Sequence, residues 1–245
     1  MKRPEMILFD YGHTLLYEPN FSTLNGTRAL MRHAVKNPRA LSPEQVNAFS
    51  DELYRGICSK VRTLDVDIHE SNFQKLLYEY LEIEFSITPE EQERVFWENS
   101  SPAATMPNAA KMLDYLDQNG IRSGVISNIM FSGSALKRRI DNLLPNNRFE
   151  FILASSEYLV RKPHPLIFEL ALRKAKLDAS KVWHCGDRPE FDAKGAHGVG
   201  IFPVWYHCLS VPDVFYVKPP QTPCCAHLYI NDWLELIDIL EGCEG

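Results

Sequence analysis

Met6-Ile7-Leu8-Phe9-Asp10-Tyr11-Gly12-His13-Thr14 joins four apolar residues directly to a carboxylate. A short apolar run bounded by turn-forming residues reads as a buried strand, which puts Asp10 at its C-terminal end. The pattern then changes. Over residues 21–99 the periodicity is helical, with no convincing strand. Ser42-Pro43-Glu44-Gln45 and Thr88-Pro89-Glu90-Glu91 mark two helix starts, each with a hydroxyl N-cap, proline at the first helical position and Gln or Glu at the capping-box position. Between them Phe73, Leu76, Leu77 and Tyr80 are expected on one apolar helical face.

Beyond Pro102 strand and helix alternate. A helix near 108–119 stops at Gly120. Gly124-Val125-Ile126 is a strand, followed by a helix over 134–144. Phe151-Ile152-Leu153 is another strand, followed by a helix that Pro165 opens and that runs to 177. Val182-Trp183-His184-Cys185 and residues 199–204 read as further strands, and a strand over 228–230 precedes a helix over 233–240. Such alternation implies an α/β fold with a Rossmann-like parallel-sheet core and right-handed crossovers. The first strand belongs to that sheet. The expected division is a core of 1–17 and 103–245 with a mostly helical cap domain, 18–102, inserted over the strand ends as a lid. Residues 210–225, with four prolines, read as a loop.

The bulk properties narrow the classes of partner. The 245 residues are 45% hydrophobic, enough for a buried core. A net charge of −6 with both signs scattered argues against a nucleic-acid or acidic-lipid surface. No apolar run is long enough for a membrane span or a signal-peptide core, so a cytoplasmic location is expected. The six cysteines show no disulfide-scaffold spacing. Cys208, Cys224, Cys225 and His227 lack the paired spacing of structural zinc sites and read as ordinary thiols and an imidazole.

The chemistry gathers at strand ends. Asp10 ends the first strand, Ser127 ends the second core strand with Asn128 beside it, and Lys162 precedes the Pro165 helix in Arg161-Lys162-Pro163. Asp187 ends a later strand in Gly186-Asp187-Arg188-Pro189-Glu190-Phe191-Asp192. In an open parallel sheet these ends converge on one crevice. A carboxylate there can attack phosphorus and form an aspartyl-phosphate. Magnesium takes carboxylate and carbonyl oxygens, and an ammonium with a hydroxyl can hold the non-bridging oxygens.

On these residues the chain resembles the haloacid dehalogenase-like superfamily. Asp10 with Thr14, then Ser127, then Lys162-Pro163, then Asp187 with Asp192 match its four motifs in order, and the helices after the first motif resemble its helical cap. The resemblance implies a hydrolase acting on a small phosphorylated or phosphonate metabolite. It implies Asp10 as nucleophile, with Mg2+ held by Asp10, the Gly12 carbonyl and Asp187, and Asp192 beside them. It also implies that Ser127, Asn128 and Lys162 bind phosphate, and that Thr14 supports the first motif.

Position 12 departs from the pattern. The family's phosphatases usually carry there a second Asp that protonates the leaving group and later activates water, and such assistance is typically worth ~10²–10⁴-fold. Gly12 offers only a carbonyl. Three readings follow: His13 substitutes, a cap residue or the substrate substitutes, or the leaving group needs no proton. A catalytically weak relative that binds a phosphorylated ligand is the alternative class. The family's metal-free dehalogenase branch also lacks an acid there, and Asp187 with Asp192 argues against it. His164 is expected to open the helix that follows it.

Overall fold

The structure, a computed structural model, describes residues 1–211, 221–223 and 225–243. The strands are β1 (Met6–Phe9), β2 (Leu16–Tyr17), β3 (Ala34–Lys36), β4 (Glu84–Phe85), β5 (Ala104–Thr105), β6 (Arg122–Ser127), β7 (Phe149–Ala154), β8 (Val182–Gly186), β9 (Phe202–Tyr206) and β10 (Leu228–Ile230). Six of them form one sheet in the order β10-β9-β8-β1-β6-β7, and every pairing in it is parallel. The chain runs outward from β1 to β7 and then returns to β8 on the other side. That reversal opens a crevice at the C-terminal ends of the central strands.

Alternation along each strand builds the two faces. Ile7 and Phe9 of β1, Val125 of β6 and Trp183 and Cys185 of β8 join one apolar cluster. The helices Ala109–Gln118, Gly133–Leu143 and Trp233–Glu241 cover it with Met112, Leu136, Ile140 and Leu236. Met6, Leu8, Ile126 and Val182 point the other way, onto Ile167, Phe168 and Ala171 of the helix Pro165–Ala175. A parallel sheet covered on both faces needs near-continuous apolar strands, and Met6–Phe9 is completely buried.

Residues 21–99 are mostly helical: Thr23–Met31, Pro43–Leu53, Glu70–Leu81 and Pro89–Ser100 are the long helices. Both expected capping boxes form. Ser42 Oγ accepts from Gln45 N while Gln45 Oε1 accepts from Ser42 N, and Thr88 and Glu91 repeat the exchange. The block has its own apolar cluster, including Leu30, Val46, Leu77 and Tyr78, into which Met130 inserts from the loop after β6.

Three local expectations are corrected. The helix Glu70–Leu81 buries Phe73, Gln74, Leu77, Tyr78 and Leu81, while Leu76 and Tyr80 are 49% and 61% exposed. A 3.6-residue period permits either of two neighbouring stripes, and the rings that meet this helix, such as Phe85 at 4.7 Å from Tyr78, select between them. The block also contains β3 and β4, paired antiparallel, too short to leave a periodic signal. The strand expected at 199–204 starts at Phe202, because the preceding helix unwinds through Gly200 at φ 84°. Residues 212–220 and 224 of the proline-rich segment lie outside the described residues.

The two connections to the helical block run side by side. β2 pairs antiparallel with β5, Ser22 N donates to Ser100 O at 2.8 Å and Ser101 Oγ donates to Pro19 O at 3.1 Å. Arg139, from a core helix, closes this junction. Its guanidinium donates to Glu18 Oε1 at 2.6 Å and to the carbonyls of Trp97 and Ser101, both at 2.9 Å. It also lies 4.1 Å over the Trp97 ring. Removing one partner of a buried ion pair strands the other, at a cost of about 3–5 kcal/mol. Arg139→Ala is therefore expected to lower stability by about 3 kcal/mol or more, measured by urea unfolding; a loss below about 1 kcal/mol contradicts the assignment of Arg139 as the junction clamp.

Candidate active site

Asp10 emerges from β1 with its backbone N–H still donating to Cys185 O on β8 at 2.8 Å, so the sheet ladder sets its position. Lys162 reaches it from the loop before the helix Pro165–Ala175. The Lys162 ammonium donates to Asp10 Oδ1 and to Asp192 Oδ1, each at 2.6 Å, and the residue is 1% exposed. Asn128, expected on phosphate, lines the cavity but brackets the Lys162 main chain. Its Oδ1 accepts from Lys162 N at 2.7 Å and its Nδ2 donates to Lys162 O at 2.8 Å. Ser127 is buried at the end of β6 and lines the same cavity.

Asp187 and Asp192 follow β8. Oxygens of Asp10, Asp187 and Asp192 lie within 4.8 Å of one another, the one group of potential metal ligands of this size among the described residues. Asp192 is the best supported. Besides Lys162 it accepts from His184 Nε2 at 2.9 Å and from Arg188 N at 3.0 Å. Burial alone would raise its carboxyl, but the Lys162 charge and the His184 hydrogen bond outweigh it and hold Asp192 below the usual carboxylate range. Asp187 goes the other way. Burial, then repulsion from Asp10 and Asp192, pushes it well above that range, although the Arg188 guanidinium lies 3.0 Å away. Asp10 is also raised, mainly by burial. Three carboxylates thus share one ammonium and one guanidinium. The donor set is all oxygen and carries an excess of negative charge, and both features suit a hard divalent cation.

His13 lines the cavity with φ 51°. Burial and the Arg188 charge lower its imidazole to about 4, so it is neutral at physiological pH. Tyr11 donates to Glu18 Oε1 at 3.2 Å. Thr14 is fully buried, and its carbonyl accepts from Trp233 Nε1 at 3.1 Å. His164 caps the next helix, its Nδ1 accepting from Leu166 N at 3.3 Å.

The cavity above Asp10 has a volume of about 540 Å³. The core supplies its floor; Tyr54, Arg62, Glu70 and Phe73 of the helical block supply another wall. The block is tied down beside Lys162. Val66 pairs with Val160 in an antiparallel bridge, and Asp67 Oδ1 accepts from Arg161 at 3.1 Å and from Arg62 at 3.3 Å.

Polar side chains at this site that the sequence left unassigned include His184, Arg188, Arg161 and Glu70. Arg188 and Arg161 sit next to motif residues, and adjacency is a usable signal. His184 lies mid-strand and Glu70 is far away in sequence, so neither carries one.

A model of haloacid dehalogenase-like hydrolases matches residues 5–200. The chain belongs to that family. It is 33% identical over 144 residues to the glyceraldehyde 3-phosphate phosphatase of Pyrococcus furiosus, covering 57% of this chain and 56% of that one. The chain spans about half the length of the curated relatives it matches. Among solved structures, a 2-haloacid dehalogenase from Pseudomonas syringae pv. Tomato superposes with a TM-score of 0.65 at 21% identity, covering 99% of both chains. A haloacid dehalogenase-type phosphatase from Thermococcus onnurineus gives 0.63 at 18% identity over the whole of both chains. At such identities the likeness concerns the fold alone, and the two proteins are named for different reactions.

Two glycines make the support of Asp192 testable. A Cβ on Gly186 would meet Asp192 Cγ at 2.2 Å, whereas a Cβ on Gly12 meets nothing within 4 Å. Overpacking of a closed site typically costs about 1–3 kcal/mol. Gly186→Ala should show that loss in chemical denaturation, and Gly12→Ala should stay within about 0.5 kcal/mol of wild type. Equal stabilities for the two variants would contradict this packing.

Proposed function

We propose that the protein is a magnesium-dependent phosphohydrolase of small phosphorylated metabolites, with 18–102 acting as a cap over a core of 1–17 and 103–245. The observation that carries this reading is the buried Asp10–Lys162–Asp192 chain beside Asp187 on the cavity floor. Relatives named as phosphatases of glyceraldehyde 3-phosphate support it. Asp10, Asp187, Asp192 and the Gly12 carbonyl are the groups that would hold Mg2+. When bound, the ion supplies positive charge that offsets the phosphate and the surrounding carboxylates.

In this mechanism an Asp10 carboxylate oxygen attacks phosphorus, the bond to the leaving oxygen breaks, and an aspartyl-phosphate forms. Water then attacks that phosphorus, releasing inorganic phosphate and restoring Asp10. Lys162 holds Asp10 in the attacking orientation and, with the Ser127 hydroxyl, neutralises the phosphoryl oxygens. Asn128 acts through Lys162, by fixing its main chain. His184 acts through Asp192, by fixing the carboxylate that anchors the ammonium.

No side chain at position 12 protonates the leaving group, and His13 is held neutral. Leaving groups that depart as stable anions are therefore favoured. Aryl phosphates should turn over at least tenfold faster than alkyl phosphates, on the scale that general-acid assistance is worth, ~10²–10⁴-fold. Gly12→Asp, for which the backbone leaves room, should raise alkyl phosphate turnover. Steady-state phosphate release with magnesium and with a chelator checks both points. Activity that survives chelation contradicts the metal assignment. Absence of turnover on all esters, with phosphate-ester binding retained, would favour the weakly catalytic relative to which Gly12 points.

A further inference from the structure

The reaction outlined above uses the core floor of the cavity, and two carboxylates on the helical wall have no part in it. Glu70 is 6% exposed and lines the cavity that contains Asp10. Its Oε1 accepts from Gln74 Nε2 at 3.0 Å. Asp51, half-buried on the same wall, accepts from Asn47 Nδ2 at 3.1 Å. Among the described residues neither acid has an ion-pair partner.

Each acid lies one helical turn before an aromatic residue that lines the same cavity: Asp51 before Tyr54, and Glu70 before Phe73. The two rings meet edge to face at 6.3 Å. Arg62 and Arg161 are the cations nearby, and both are bound to Asp67. The Arg62 guanidinium also lies 5.4 Å over the Tyr54 ring, so the electron-rich face of that ring already attracts a cation.

A buried carboxyl without a cation is an unfavourable arrangement unless it takes up a proton or a counter-charge. Burial lifts Glu70 to about 7. The Gln74 hydrogen bond works against that rise, the Glu93 charge adds to it, and Arg62 opposes it. A ligand ammonium would restore the charged form and gain charge-assisted hydrogen bonds, and the flanking rings would add cation–π attraction. A ligand carboxylate would be repelled by these acids, and a purely apolar body would leave both of them with only their neutral amide partners.

We propose that Glu70 and Asp51, with the rings of Tyr54 and Phe73, form an ammonium subsite, so that the preferred substrate is a phosphate ester whose leaving group carries a protonated amine. This rests on the phosphohydrolase reading for the floor of the site and specifies the substrate class for its wall. In this arrangement phosphate meets Lys162 and Ser127 of the floor, and ammonium meets Glu70 and Asp51 of the helical wall.

A matched pair of esters tests it: para-(aminomethyl)phenyl phosphate against para-tolyl phosphate. Wild type should prefer the amine by about tenfold or more in kcat/KM, carried by KM, as expected for a charge-assisted contact. Glu70→Gln, close to isosteric, should bring the ratio toward one, and Asp51→Asn should lower it in part. A binding arm needs no turnover. Titration calorimetry should show para-(aminomethyl)phenol binding wild type more tightly than para-cresol, with that preference lost in folded Glu70→Gln. A wild-type ratio near one, or an amine preference intact in both variants, overturns the subsite. If no ester is hydrolysed, the phosphohydrolase reading fails alone, and the calorimetry still decides the subsite.

Discussion

Lys162 buries its ammonium between two carboxylates that come from different strands, and the geometry of the whole site depends on that contact. Asp10 arrives on β1, Asp192 on the turn after β8, and Lys162 on the loop after β7. An unpaired ammonium at this depth would cost several kcal/mol. Burial is tolerable here because two carboxylates accept its protons, while His184, Asn128 and the Arg188 backbone hold the partners in place. The same contact divides the work among the acids. Asp192 is held ionised by three donors, Asp10 is shared between Lys162 and the open cavity, and Asp187 is left with its charge opposed by its neighbours.

Several contacts join the helical block to this floor. Its two chain connections are clamped by Arg139, the bridge of Val66 with Val160 lies two residues from Lys162, and Glu70 N donates to Met130 O in the loop after Ser127. A displacement of the block therefore acts on the loops that present Ser127 and Lys162. Coupling of wall to floor through backbone contacts gives a physical route by which occupancy of the cavity can adjust the reacting groups.

Position 12 shows how a family pattern and a particular chain can part. The fold keeps the backbone at Gly12 in a conformation with room for a side chain, yet no acid stands there. The nearest substitute in sequence, His13, is neutralised by burial and by Arg188. Two acids of the helical wall, Glu70 and Asp51, line the same cavity.

Local chemistry in the sequence determined the strands of the large sheet and the long helices, while the order β10-β9-β8-β1-β6-β7 came from the tertiary structure. Met6–Phe9 is apolar throughout because both of its faces are covered, and the Ser42 and Thr88 boxes start their helices through contacts within four residues. Asp10, Ser127, Lys162 and Asp187 were legible because each ends a strand or sits in the loop beside one, and parallel strands bring such ends together. What only the tertiary structure decided depends on contacts between distant segments. The choice of apolar stripe on Glu70–Leu81 follows from the rings that meet it, and His184 and Glu70 acquire their surroundings from residues far off in sequence. Asn128, expected on phosphate, lines the cavity and also braces Lys162, because its amide meets both a backbone donor and a backbone acceptor. Burial and through-space charge set protonation, and neither is a property of sequence spacing.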